Sequence, residues 1–200
     1  MSYAWSASHR YGIAPAPGGL GLVQDFLNTA GAEGYGPDLL GDTGLAGDWA
    51  AGAVAAWSQS RGVEARPPTL DEADLARLRS LRTTIGAIIA GRPPSDAETR
   101  GVAASFVLAG TEVRLQPGGR DWRWLASALW GEILLSQQAG TWRRLKQCRN
   151  HRCGVTFYDR SKNNSGVWHD VKTCGNVANL RASRARRRGR GRGAESSGTE

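Results

Sequence analysis

Apolar residues recur at helical spacing along several stretches of the chain and at strand spacing along others. Leu75, Leu78, Leu81, Ile85, Ile88 and Ile89 repeat every three to four positions, which predicts an amphipathic helix. Thr69-Leu-Asp-Glu72 reads as a capping box in front of it, and Gly91 with Pro93 and Pro94 ends it. Ser95-Asp-Ala-Glu98 repeats the capping signal and predicts a second helix through Val102, Phe106 and Leu108 to Gly110, giving an α-hairpin. Trp122, Leu125, Leu129, Ile133 and Leu134 predict a further helix from about Asp121 to Gln138. The Ala-rich stretch from Asp48 to Ser60 predicts another, with Asp48 as its N-cap and Trp49, Ala53, Ala56 and Trp57 on one face. Leu20 to Asn28 fits either a strand or a short helix, because apolar runs of that length do not separate the two. Val113 and Leu115 alternate with polar neighbours, which predicts a short strand before the Pro117-Gly-Gly119 turn. Tryptophans at positions 49, 57, 122 and 130 sit in these patterns and read as core rather than as a ligand cage.

Composition adds boundaries to this picture. Residues 1–19 are rich in Gly, Pro and Ala without a period and read as a flexible, extended arm. Residues 20–142 form the helical body, 143–188 a small appended module with a stabilising core of its own, and 189–200 a low-complexity, disordered tail. The fold class expected is mainly α, a helical body followed by a small zinc-stabilised β-hairpin plus helix. Charge follows the same division. From Arg143 onward the chain carries 15 Lys and Arg against 4 Asp and Glu, a surplus of +11, whereas residues 1–142 sum to −3. A basic segment on a mildly acidic body points to a polyanionic partner, since each neutralised phosphate releases condensed counterions. A merely solvated tail is the alternative. No apolar run of about 18 residues and no secretory leader is visible, so a cytoplasmic protein without membrane contact is expected.

The three cysteines all fall between 148 and 174. In a reducing compartment such a cluster is more often a metal site than a disulfide. Cys148-x4-Cys153 and His169-x4-Cys174 are two ligand pairs, each at a spacing that a tight turn spans, and together they offer three thiolates and one imidazole. That donor set favours Zn²⁺ in a closed tetrahedron. His151, between the first two cysteines, is the rival nitrogen ligand, but choosing it would leave the second half of the module anchored by Cys174 alone. Lys146, Arg149, Arg152 and Lys172 surround the site and favour the thiolate forms. Three cysteines packed as small hydrophobes would be the non-metal alternative, and the Arg, Lys, Asn and Asp around them argue against it. Between the pairs, Val155 to Asp159 reads as a strand and Ser161 to Gly166 as a turn, which suggests a hairpin. Lys172 to Arg188 reads as a helix pinned at its start by the metal, bearing Arg181, Arg184, Arg186, Arg187 and Arg188.

Cys148, Cys153, Phe157, Asp159, Ser161, Ser165, Trp168, His169, Cys174, Gly175 and Asn176 together resemble the CGNR zinc finger over about forty residues. Leu22 to Thr29, Trp57 and the Leu-rich helix resemble the ABATE domain, which precedes this finger in stress-induced transcription regulators. The resemblance implies a helical body with a C-terminal DNA-binding finger, and so a zinc-dependent, non-catalytic regulator that contacts DNA through the five arginines named above. The sequence departs from the pattern twice: His169 stands at a cysteine position, and Val177 stands where the name-giving arginine belongs. RNA is the neighbouring alternative partner, since charge alone does not separate the two polyanions, although the aromatic pairs of an RRM surface are missing. A protein-interaction module held by zinc is another. No H-E-x-x-H and no H-x-E deaminase signature occurs, and four protein ligands leave a zinc ion no open position, so an enzyme is not expected.

Overall fold

The structure is a computed structural model that describes residues 5–32, 34–94, 101–150 and 152–176. Its elements run α1 (Ser6–His9), α2 (Leu20–Leu27), α3 (Thr43–Arg61), α4 (Glu72–Ile89), β1 (Ala104–Ala109), β2 (Glu112–Pro117), α5 (Trp122–Gln138), β3 (Leu145–Gln147) and β4 (Thr156–Tyr158). A single π-type turn at Val171–Gly175 follows. Among the described residues the molecule is mainly α, with two antiparallel hairpins, β1–β2 and β3–β4.

Leu20 to Leu27 resolves as a helix, and all eight of its residues are buried. Apart from Gln24 and Asp25 its residues are apolar or glycine, and α2 touches α1, α3, α4, α5 and β4. Asp25 accepts from the Ser8 amide at 2.7 Å and from Trp49 Nε1 at 2.9 Å, and Gln24 Nε2 donates to the Ala14 carbonyl at 3.1 Å, whereas the buried Gln24 Oε1 has no partner among the described residues. Burial nevertheless pushes the Asp25 carboxyl above its ordinary range. Leu75, Leu78, Leu81 and Ile85 of α4, and Leu125, Leu129 and Ile133 of α5, pack on this core as their spacing predicts. Trp49 and Trp57 are buried in it as well, and Trp122 and Trp130 pack at its margin. Leu134, placed near the same face by its spacing, is instead 53% exposed.

Several expectations are corrected. The flexible arm is not an arm over residues 5–19: Trp5, Ala7, Tyr11 and Ala16 are buried, and the Arg10 guanidinium donates to the carbonyls of Asn28, Ala30 and Pro37. Gly21 makes room for this segment, since a Cβ there would stand 3.0 Å from the Trp5 ring. The helix assigned to Asp48–Ser60 begins earlier, with Asp42 as its N-cap accepting from the Gly44 and Leu45 amides. The capping box of α4 is Asp71 with Asp74 rather than Thr69 with Glu72.

The α-hairpin is replaced by a β-hairpin. Ala104 to Ala109 is a strand paired with Glu112 to Pro117 in the register Phe106↔Leu115 and Leu108↔Val113. Gly110, at φ 64°, opens the two-residue turn, and a glycine first in such a turn matches the right-handed twist of the flanking strands. The Ser95–Glu98 capping signal lies outside the described residues.

Body and C-terminal module are continuous. Asn28 Nδ2 donates to the Thr156 carbonyl at 2.9 Å, and the Thr156 amide donates back to Asn28 Oδ1 at 2.8 Å. Tyr11, Ile13 and Ala32 pack with Cys148, Val155, Cys174 and Trp168 in one cluster. The module therefore shares its core with the body instead of having one to itself. Among the described residues no helix is long and apolar enough to cross a membrane.

Candidate metal centre and its basic surround

Three short pieces of backbone deliver the four candidate ligands. The Cys148-x4-Cys153 loop caps the β3–β4 hairpin: the Cys148 amide donates to the Val155 carbonyl at 2.8 Å and the Cys153 amide to the Asn150 carbonyl at 2.8 Å. Gly154, at φ 70°, lets the chain leave this loop and enter β4. The strand partner of Thr156–Tyr158 is thus Leu145–Gln147, upstream of the cysteine loop, and the Ser161–Gly166 segment is a separate turn rather than the hairpin's tip. Cys174 comes from the turn that Asp170 starts by accepting from the Lys172 amide at 2.7 Å. That bond holds the Asp170 carboxyl below its ordinary range.

Cys148 Sγ, Cys153 Sγ, Cys174 Sγ and a nitrogen of His169 lie within 4.8 Å of one another. His169 Nδ1 stands 3.3 Å from Cys153 Sγ and 3.6 Å from Cys174 Sγ. A zinc tetrahedron with Zn–S of about 2.3 Å and Zn–N of about 2.0 Å has N···S edges of about 3.5 Å. The side chains present therefore fit that ion with His169 Nδ1 as its nitrogen ligand. Asn150 Nδ2 points at Cys174 Sγ from 3.3 Å, a donor suited to a thiolate. The Cys148 thiol is drawn down, first by a hydrogen bond from Cys153 and, against burial, by the ring and amide of His169 and the Asn150 amide. Cys153 is pushed far up, because it donates to that sulfur and is itself partly buried. Crowded thiols hold one another's protons, and a dication among them would release those protons. The rival His151 lies outside the described residues.

The turn beside the centre is held by Asp159. Its carboxylate, 3% exposed, accepts from Lys146 Nζ at 2.7 Å, the Ser161 amide at 2.8 Å and the Gly166 amide at 2.7 Å. Burial would raise its pKa, but these donors outweigh burial and hold it well below the usual carboxylate range. Gly166 has to be glycine, since a Cβ would lie 2.8 Å from the carboxylate. Ser161 Oγ accepts from the Ser165 amide at 3.0 Å. Gly175 lets Trp168 approach, with the ring 3.2 Å from where a Cβ would be. Phe157, Asp159, Ser161, Ser165, Trp168 and Gly175, quoted as motif residues, are accordingly framework around the four ligands.

The basic residues divide into two groups. Lys146 is spent on Asp159, the Arg144 guanidinium on the carbonyls of Asp159 and Ser161, and Arg160 on the Pro15 carbonyl and the Tyr158 ring. Arg143, Arg149, Arg152, Lys162 and Lys172 are exposed, and their side chains take no ion-pair or hydrogen-bond partner among the described residues. Arg143 and Lys162 were not singled out by the sequence, which gives no sign of which cations are internally paired. Arg181, Arg184, Arg186, Arg187 and Arg188, together with Val177 and the tail, lie outside the described residues.

These observations define a mainly helical body that carries, continuous with its core, a small C-terminal Cys3His module of zinc-finger type. Residues 20–141 match the ABATE family model, described as "putative stress-induced transcription regulator". Residues 144–187 match the CGNR zinc finger. The chain belongs to the ABATE family and ends in a CGNR zinc finger. No curated protein matches the sequence.

Proposed function

We propose that the protein is a zinc-dependent DNA-binding transcription regulator of bacterial type, acting in the cytoplasm and without catalytic activity. Zinc is held by Cys148, Cys153, His169 and Cys174, and its role is structural because four protein ligands fill the tetrahedron. The observation that carries the reading is the exposed set Arg143, Arg149, Arg152, Lys162 and Lys172 in the module that holds this centre, unneutralised by any described carboxylate. Together with Arg181, Arg184, Arg186, Arg187 and Arg188 it makes the C-terminal segment strongly cationic, whereas residues 1–142 sum to −3. In this reading the first set contacts phosphates and the second supplies phosphate contacts and some base reading.

Selection of a random duplex library on the zinc-loaded full chain, followed by binding titrations at several salt concentrations, tests it. An Arg149→Ala variant should weaken selected and scrambled DNA alike and reduce the salt slope by about one. A base-reading arginine among the later five should cost about 1–3 kcal/mol at one position and relax preference there. RNA of the same sequence competing equally well, or no enrichment of any duplex, would overturn the reading.

A further inference from the structure

A cavity of about 580 Å³ lies in the body, between the α3–α4 connection, the β1–β2 hairpin and the start of α5. Trp124 forms part of its wall, backed edge-on by Trp57 at 5.5 Å with the rings 89° apart. Trp57 in turn is fixed by donating from Nε1 to Glu132 Oε1 at 2.7 Å, and Arg61 pairs with the same buried carboxylate. Arg114 braces two walls, donating from Nη1 to the Gly62 carbonyl at 2.8 Å while Glu112 holds its other edge.

Arg66, Arg114 and Arg120 line this space together with Glu64; Arg114 is paired with Glu112, which leaves Arg66 and Arg120 as its cations without a carboxylate partner among the described residues. Arg66 comes from the α3–α4 connection and Arg120 from the turn before α5, and neither takes a hydrogen-bond or ion-pair partner among the described residues. Residues 1–142 sum to −3, so two arginines without a carboxylate partner on one cavity wall run against the charge of the segment that carries them. Cavities of about 300–1,000 Å³ with an aromatic wall and a few convergent polar groups are the usual form of small-molecule sites. Guanidinium groups pair bidentately with carboxylates, and an indole face stacks on planar rings.

We infer that the cavity between the α3–α4 connection, the β1–β2 hairpin and α5 binds a planar aromatic carboxylate, stacked on Trp124 and paired with Arg66 and Arg120. Arg114 is a positioning residue that fixes the sheet wall against the connection. The site is separate from the four-ligand centre, and the inference stands whether or not the C-terminal module binds DNA.

Calorimetric titration of the zinc-loaded full chain with naphthalene-2-carboxylate, and with naphthalene-2-carboxamide as its uncharged match, tests the site. The carboxylate should bind once per chain with a Kd below about 1 mM, and the amide about tenfold more weakly or worse. Arg66→Ala and Arg120→Ala, both on exposed positions and so expected to fold, should each weaken the carboxylate about fivefold and leave the amide unchanged. Trp124→Ala should weaken both probes, with a thermal melt reporting whether that variant is folded. Arg92→Ala, an exposed charge elsewhere on the body, should leave binding as in the parent. The inference is overturned if the carboxylate shows no saturable binding, if the amide binds equally well, or if both arginine variants bind the carboxylate like the parent.

Discussion

His169 Nδ1 meets Cys153 Sγ at 3.3 Å and Cys174 Sγ at 3.6 Å, so the departure from a four-cysteine pattern changes the donor without opening the shell. A thiolate reaches the same space, and His169→Cys should retain about one zinc per chain. His169→Ala should lose it, whereas His151→Ala should keep it; elemental analysis of protein purified without chelator decides, and the reverse pattern would make His151 the ligand. Asp159 gives a second prediction at this scale. Its folded pKa is depressed, so its contribution is complete above the unfolded value of about 4 and is lost as pH falls below that value. Asp159→Asn leaves Lys146 without its counter-charge and should cost about 3 kcal/mol at neutral pH. Urea unfolding of both proteins should show a gap that is constant from about pH 7 to pH 5 and narrows below about pH 4. A gap independent of pH would mean that Asp159 acts through shape alone.

At the scale of elements, helices that pack a face on the core were legible and their ends were not. Leu75, Leu78, Leu81 and Ile85 are all buried as their spacing requires, because tertiary packing rewards that period directly. The start of α4 is governed by geometry that the sequence offers twice, since both Thr69-x-x-Glu72 and Asp71-x-x-Asp74 present an acceptor three residues before a carboxylate. The second pair forms, with Asp71 Oδ1 accepting from the Asp74 amide at 2.8 Å. Asp71→Ala should therefore lower stability by about 1 kcal/mol and Thr69→Ala by much less, measured by thermal melts; equal effects would contradict the observed cap. The β1–β2 hairpin was illegible for a different reason. Val102 and Phe106 lie one helical turn apart, whereas Phe106 and Leu108 are spaced as on one face of a strand; the pairing leaves both of these more than 70% exposed, so no core burial marks their period. The signal that would have found it is Gly110-Thr111 between two short runs, a turn glycine with φ 64°. The grouping of Cys148, Cys153, His169 and Cys174 was the most legible feature of the chain, because paired spacing is read directly, whereas the pairing of Lys146 with Asp159 depends on register.

For the whole molecule, the main revision is that the finger is not an appendage. Reciprocal bonds between Asn28 and Thr156, and the cluster joining Tyr11, Ile13 and Ala32 to Cys148, Val155 and Cys174, give body and finger a common interior. The segment before α2, which a lack of period made look unstructured, forms part of that interior. The cavity walled by Trp124 and the basic face beside the four ligands thus belong to one packed unit. Zinc in this account orders the loops that present Arg149, Arg152 and Lys172, and polyanion binding depends on that order. The direct test is fluorescence anisotropy of the selected duplex against the full chain, first zinc-loaded, then after chelation, then after zinc is restored, with circular dichroism following the helices. Affinity should fall about 100-fold or more on chelation and return with the metal; equal affinity and salt dependence with and without zinc would contradict the claim that this centre builds the nucleic-acid-binding surface.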